Sequence, residues 1–178
     1  WPIMNLEKFN PSLPGGHLKH IRHARSKFYR EHRVEIKDAR DIERQKFYDL
    51  IESWRKKRGA NDHAWFQEYY NVVDGGFADM DCRRALMVDG RVAGLNAGWK
   101  IPNSNRFYGA IGLHDYSVRD LGIVLYLEDL IWMKQQQYKK MDMGGSDTTL
   151  LKFKLQFGDA ASAYKTHIFS VTEKIERN

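Results

Sequence analysis

The residues of this chain whose types and spacing can do chemistry are concentrated in positions 142–158, "DMGGSDTTLLKFKLQFG". A carboxylate, Asp142, follows a short apolar run, the glycine pair Gly144-Gly145 comes next, and Ser146 or Asp147 can cap the helix behind it. That helix carries Lys152 and Lys154. Glycines let backbone amides approach a ligand closely, and the amides at a helix start favour a negative or polarised group. The other reading of the same string is a tight turn that only reverses the chain. Asp142 and Asp147 can each orient an amine or take its proton, with capping as the competing use of Asp147. An ammonium at Lys154 can stabilise developing negative charge or hold a phosphate. Lys152, two residues away, points elsewhere on the helix, toward solvent.

Other reactive types are scattered. Tyr108, Tyr126 and Tyr164 offer hydroxyls to a cleft, or else are buried aromatics with satisfied OH groups. His17, His20 and His23 recur every third residue, but such a series drifts about 60° per step around a helix and lacks a fourth ligand, so no metal site is expected. Cys82 is the single cysteine. It excludes an intramolecular disulfide and a multi-cysteine zinc site, favours a reducing compartment, and at a strand start reads as packing. No Gly-x-Ser-x-Gly elbow is present, which suits direct transfer without a nucleophilic side chain.

The elements that must position these groups follow from periodicity. Residues 17–32 read as a helix with Leu18, Ile21, Ala24 and Phe28 on one face and Lys19, His23, Lys27 and Arg30 opposite. A strand at 33–37 leads to a helix over 41–59, with Phe47, Leu50, Ile51 and Trp54 inward and Lys56, Lys57 and Arg58 at its negative end. A third helix is expected over 62–73. Then the period changes to strands at 82–88, 91–101 and 106–113, the first two joined by Asp89-Gly90, a strong hairpin signal. A deeply packed helix over 122–137 turns Ile123, Leu127, Leu130 and Ile131 inward. A strand at 140–143, the glycine turn, its helix and a last strand at 163–171 complete the chain. A meander followed by β-α-β describes an α/β (α+β) fold: a mixed, mainly antiparallel sheet with helices on both faces.

With 178 residues, 42% of them hydrophobic, one domain is expected over 15–178, with 1–14 as an irregular lead or linker from an upstream domain. The start at Trp1 looks like a cut inside a longer protein. The longest apolar run, "LGIVLYLEDLIWM", is broken by Glu128 and Asp129 and falls short of a membrane span. Net charge is +6, and its excess lies in the first third: residues 1–58 hold 15 Lys/Arg against 8 Asp/Glu, and the remainder 14 against 15. Such a basic lobe suits tRNA, an anionic lipid surface or a phosphorylated substrate, or is simply a solvated face.

The element order, with a long helix after the third meander strand, resembles the acyltransferase fold of the GNAT superfamily. "ALMVDGRVAGLNAGWKI" looks like the hairpin of Fem-type and related acetyltransferase-like proteins. "LGIVLYLEDLIWMKQQQYKKMDMGGSD" resembles their long helix and the strand ending in Asp-x-Gly-Gly. Their Phe-Lys-x-x-Phe-Gly signature falls on Phe153, Lys154, Phe157 and Gly158. "LKHIRHARSKFYREH" is similar to the arginine-rich helix that opens the catalytic domain in these families, including the C-terminal part of phosphatidylglycerol lysyltransferases. The resemblance spans most of residues 15–171 and departs in one place. Where acetyl-CoA users carry a glycine-rich pyrophosphate loop, "VRDLGIVLYL" keeps Arg119 and Gly122, but Ile123 and Val124 follow and the second glycine is absent.

The resemblance implies an acyl- or aminoacyltransferase. It would move an activated acyl group from aminoacyl-tRNA or acyl-CoA to an amine or hydroxyl, such as a lipid headgroup or cell-envelope precursor, with no tightly bound cofactor. It implies a functional Lys154 and phosphate contacts for Arg22 and Arg25. Gly144, Gly145, Ser146, Arg119 and Gly122 would face the donor, and Tyr108 and Tyr164 the substrate. The expected location is cytoplasmic or peripheral at the inner membrane face, with an N-terminal tandem domain as a further partner. The alternative is a non-catalytic basic module that binds tRNA or an anionic membrane surface.

Overall fold

The computed structural model describes residues 1–58, 66–145, 148–158 and 161–164. Strand β1 (Pro2–Asn5) and helix α1 (Lys19–Glu31) precede β2 (Val34–Asp38), α2 (Arg44–Arg58) and α3 (Phe66–Asp74). The meander β3 (Cys82–Val88), β4 (Arg91–Lys100) and β5 (Arg106–His114) follows. Helix α4 (Leu121–Gln135), β6 (Lys140–Asp142), α5 (Thr148–Leu155) and β7 (Ala161–Ala163) complete the described chain. The strands form one sheet in the order β2-β3-β4-β5-β6-β1-β7. Every pairing is antiparallel except β5 with β6, the two strands joined by the α4 crossover.

Local chemistry explains these elements. Asp89 and Gly90 both take positive φ, 51° and 85°, the geometry of a two-residue hairpin whose twist matches its strands. The Asp89 carboxylate then accepts from the Arg33 amide at 2.9 Å and meets His32 Nδ1 at 2.7 Å, which ties the hairpin to the end of α1. In α2, Phe47, Leu50, Ile51 and Trp54 are buried, as their i, i+3, i+4, i+7 spacing requires. They pack with α3 on one sheet face, around Ala85, Leu95, Ala97, Ile111 and Leu113. Helices α1 and α4 cover the other face. Leu121, Val124, Leu125, Leu127, Leu130 and Met133 of α4 are each 2% exposed or less. At ~1.5–3 kcal/mol per buried side chain of this size, α4 is the main apolar anchor of the fold. Ile123 and Ile131, expected inward, lie at the margin of that core, half-buried against it.

Two expectations differ from the structure. Residues 2–5, read as part of an irregular lead, form β1, which pairs with β6 on one side and β7 on the other. Strand length and pairing there come from long-range partners, and a four-residue segment carries too little periodicity to announce them. The helix expected from position 41 begins at Arg44, because the Asp38 side chain accepts from the Arg40 amide and closes a 3₁₀ turn over Ala39–Asp41 first. Positions 62–65 of the expected third helix and 165–171 of the expected last strand lie outside the described residues.

A bulge interrupts the β4–β5 ladder between Ala97 and Gly98, so that Gly98 faces Gly109 and Ala97 faces Ile111. At Gly98 an added Cβ would sit 2.1 Å from the Tyr108 carbonyl oxygen, which is backbone and has no rotamer to yield. Gly98→Ala is therefore expected to destabilise the fold by ~3 kcal/mol or more, read by urea unfolding. A loss under about 1 kcal/mol would contradict this register.

Candidate active site

The site is built where two strands part. β5 and β6 pair through Arg106–Lys140, Phe107–Met141 and Tyr108–Asp142. Beyond Tyr108, β5 runs on to His114 while the chain after β6 turns away through Met143, Gly144 and Gly145. Among the described residues no strand pairs with that edge of β5 after Tyr108. The opening holds a cleft of about 470 Å³. Gly109, Ile111, Gly112 and His114 of β5 form one wall, with Tyr126 and Asp129 of α4 and Leu150, Phe153 and Lys154 of α5 facing them. Met143, Gly144 and Gly145 close one end, and Trp54, Arg58 and Tyr69 reach it from α2 and α3. Gly112 leaves room here: its Cβ would lie 3.4 Å from the Tyr126 hydroxyl, filling space the cleft now has.

Aromatic packing sets α5 against α4. Tyr126 meets Phe153 edge-on at 5.1 Å and stacks with Phe157 at 6.0 Å, and Phe153 meets Phe157 edge-on at 5.6 Å. These rings turn Lys154 inward, where it is only 3% exposed. Its Nζ donates to the Met143 carbonyl and to the Gly145 carbonyl, the latter at 3.4 Å. A buried ammonium needs such acceptors to offset its lost hydration. Lys154 thus clasps the glycine turn from inside the cleft. Gly144 has φ +73°, a left-handed conformation that a side chain would strain.

Asp142 holds the same turn from behind. Its carboxylate accepts from Trp1 Nε1 and from the Gly144 amide at 3.2 Å, and Arg106 Nη2 lies 3.5 Å away. It is 8% exposed and is not part of the cleft lining. Tyr108 does line the cleft, with its ring between Trp99 at 5.0 Å and Trp1 at 6.4 Å. Burial, and then the Asp142 charge, raise its hydroxyl pKa. Of the positions expected from sequence, the structure brings Tyr108, Gly144, Gly145 and Lys154 together. Ser146 and Asp147 lie outside the described residues.

The remaining expected positions stand apart. Arg22 is occupied by backbone, donating to the Leu13 carbonyl and to the Gly15 carbonyl at 2.8 Å. Arg25 pairs with Glu128 at 2.9 Å and pins α1 to α4. Both arginines, expected at phosphates, join parts of the fold. Arg119 projects into solvent beside Asp120, at 3.8 Å. Gly122, in the first turn of α4, is buried against the His114 ring, where a Cβ would come within 2.9 Å of Nε2. The Tyr164 side chain is 54% exposed, and its amide donates to the Trp1 carbonyl at 2.8 Å. Cys82 is buried, with its thiol pKa raised by burial and by Asp129. Among the described residues no group of His, Cys, Asp and Glu could hold a metal ion, and His20 Nδ1 lies 3.1 Å from the His17 carbonyl.

Two titratable cleft residues escape the sequence reading. Asp129 is 5% exposed, and burial pushes its carboxyl up to about 7 against the opposing pull of Arg84 and the Cys82 thiol. Burial pushes His114 down to about 4 against the pull of Asp115, so its ring is neutral at pH 7. The signal for Asp129 was an acid that, with Glu128, breaks an apolar run, three residues after Tyr126 and hence on the same face. His114 carried no such signal, because its burial comes from the partnership of β5 with α4.

A model of the acetyltransferase (GNAT) domain matches residues 15–166. The chain belongs to the GNAT acetyltransferase family. Its fold is similar to the C-terminal domain of a putative lysylphosphatidylglycerol synthetase from Agrobacterium fabrum, at TM-score 0.63 and 14% identity over 87% of this chain and 55% of that one. L-PGS from Bacillus licheniformis is similar at TM-score 0.64 and 14% identity, over the same shares. This GNAT chain therefore spans about half the length of those two. An aminoglycoside acetyltransferase from an uncultured soil metagenomic sample, solved with trehalose, aligns at TM-score 0.54 and 12% identity over 80% of this chain and 97% of that one. No curated protein matches by sequence. Family and fold agree, and the parted strands are the feature on which the cleft of this GNAT chain is built.

The raised Asp129 carboxyl makes a stability prediction. Its folded pKa, about 7, lies above the unfolded value near 4, so its contribution is fully present below pH ~4 and is lost as pH rises through 7. Asp129→Asn removes that loss, so the variant gains on the wild type between pH 4 and pH 8, by on the order of a few kcal/mol in unfolding free energy. Parallel stability curves for the two proteins would contradict the buried, charge-penalised carboxyl.

Proposed function

We propose that this chain transfers an activated acyl group from a carrier to an amine or hydroxyl acceptor inside the β5–β6 cleft. One observation carries the reading: a strand edge open beside a glycine turn that a buried lysine holds in place. An open edge presents amides and carbonyls in register, to which the extended, amide-bearing arm of an acyl donor can hydrogen-bond as an added strand would. The thioester or ester carbon then lies near Gly144 and Gly145. The turn orients it, and the Lys154 charge favours the oxyanion of the tetrahedral intermediate. Lys154 acts chiefly as a positioning residue, through the two carbonyls it clasps.

For the donor we propose acyl-CoA or aminoacyl-tRNA, bound as a substrate with no tightly held cofactor. The absent second glycine after Gly122 and the solvent-facing Arg119 weaken a pyrophosphate cradle at the start of α4 and leave room for the aminoacyl arm. The likeness in fold to the C-terminal domain of a putative lysylphosphatidylglycerol synthetase supports a lipid headgroup or cell-envelope precursor as acceptor. That in turn suggests work at the inner membrane face beside an upstream domain. The competing reading, a basic module for tRNA or anionic lipid, draws on exposed Lys19, His23 and Arg30 of α1. It is weakened by the commitment of Arg22 and Arg25 to the fold.

Calorimetric titration of the intact chain with acetyl-CoA, a long-chain acyl-CoA and charged tRNA separates these readings. Saturable binding of one donor is expected, weakened about tenfold or more by Lys154→Met and partly restored by Lys154→Arg, which keeps the charge. Binding of tRNA or anionic vesicles alone, steeply salt-dependent and equal in wild type and Lys154→Met, would replace transfer with the binding module.

A further inference from the structure

We propose that Asp129 is the group in this cleft that accepts the proton of the attacking amine. The inference rests on the transfer reading above and deepens it. Asp129 projects from the most deeply packed helix of the fold, so its carboxyl is held on a rigid element. It is buried, yet its partners are weak. The Cys82 thiol donates at 3.9 Å, and the nearest cation among the described residues, Arg84 Nη1, is also 3.9 Å away. That guanidinium is directed elsewhere, donating to the Glu128 carbonyl at 2.9 Å and lying over the Trp132 ring at 5.4 Å. A buried carboxylate without a close cation is costly unless something supplies a proton or a positive charge. Asp129 lines the cleft, and an acceptor ammonium arriving there supplies both.

The other cleft groups do not compete for this role. Asp142 is saturated by Trp1, Gly144 and Arg106 behind the turn. Lys154 is a donor already engaged with carbonyls. His114, from β5, is held too weakly basic by burial, with its ring against Gly122. Tyr126, on the same helix, has its hydroxyl pKa raised by burial and by the Asp129 charge. Facing Asp129, then, are Cys82 and Arg84 from β3, Tyr126 from α4, and His114 and Lys154 across the cleft. The titration that burial brings to about 7 suits an acceptor of protons at neutral pH.

The step balances without a further reactant. An ammonium N–H proton passes to the Asp129 carboxylate, and the freed lone pair forms the C–N bond to the acyl carbon. The tetrahedral intermediate collapses as the C–S or C–O bond to the carrier breaks. The departing thiolate or ribose oxygen takes the second proton from nitrogen, and Asp129 returns its own proton to water.

The test uses the intact chain with acetyl-CoA and with charged tRNA as donors and ethanolamine, spermidine and lysine as amine probes. Carrier release and donor binding are followed in parallel across pH. Wild type is expected to show amine-dependent transfer that rises through pH ~7. In Asp129→Asn that transfer falls at least about 100-fold and the pH limb disappears, while donor binding is unchanged and Asp129→Glu retains the limb. Arg84→Met removes a charge that lowers the Asp129 pKa, so its limb moves to higher pH. A limb that survives in Asp129→Asn, or stays unmoved in Arg84→Met should Asp129→Asn not fold, overturns this inference and leaves the transfer reading standing. Absence of both donor binding and transfer in wild type overturns the two together.

Discussion

The structure depends on how briefly β5 and β6 stay paired. Three residues of parallel ladder hold them, and past Tyr108 and Asp142 they separate. A parallel pair needs a crossover, here α4, and that helix is apolar on nearly every side because it must cover the sheet and carry α1 and α5 as well. Ordinary side chains on the β5 wall would fill the opening. Gly109 and Gly112 keep the β5 wall low, while Tyr126, Phe153 and Phe157 hold α5 at a fixed stand-off from the sheet.

Buried charges keep that opening in shape. Lys154 and Asp142 grip the Met143–Gly145 turn from opposite sides, the lysine through carbonyls and the aspartate through the Gly144 amide. Among the described residues their partners differ, backbone carbonyls for the lysine and Trp1, the Gly144 amide and Arg106 for the aspartate, and such partners offset the cost of burying charge. Asp129 is the exception. Among the described residues it has no such grip on the backbone and it lines the cleft, and those differences are why the proposed reactive role falls to it rather than to Asp142 behind the turn.

Much of this was legible in the residues. The hairpin at Asp89-Gly90, the buried face of α2 and the long α4 followed from turn chemistry and period. The glycine turn was visible as a turn before a helix, open to a structural reading as well, and the functional reading of Lys154 came from the family resemblance. What could not be read was direction and partnership. The family resemblance implied phosphate contacts for Arg22 and Arg25, but whether a guanidinium meets Gly15, Glu128 or solvent depends on where α1 docks. Strand β1 was hidden for the same reason, since its pairing partners lie over a hundred residues away in the chain. Asp129 was seen as a break in an apolar run, and its meaning changed only once both sides of α4 proved to be packed.

The central claim is that the open β5 edge and the clasped glycine turn receive the acyl donor. Hydrogen exchange of the intact chain, with and without acetyl-CoA or charged tRNA, reads it at the backbone itself. The account predicts that a donor slows exchange at residues 109–113 and 143–145 together. Protection confined to the basic face of α1, with the β5 edge and the turn unchanged, would contradict it.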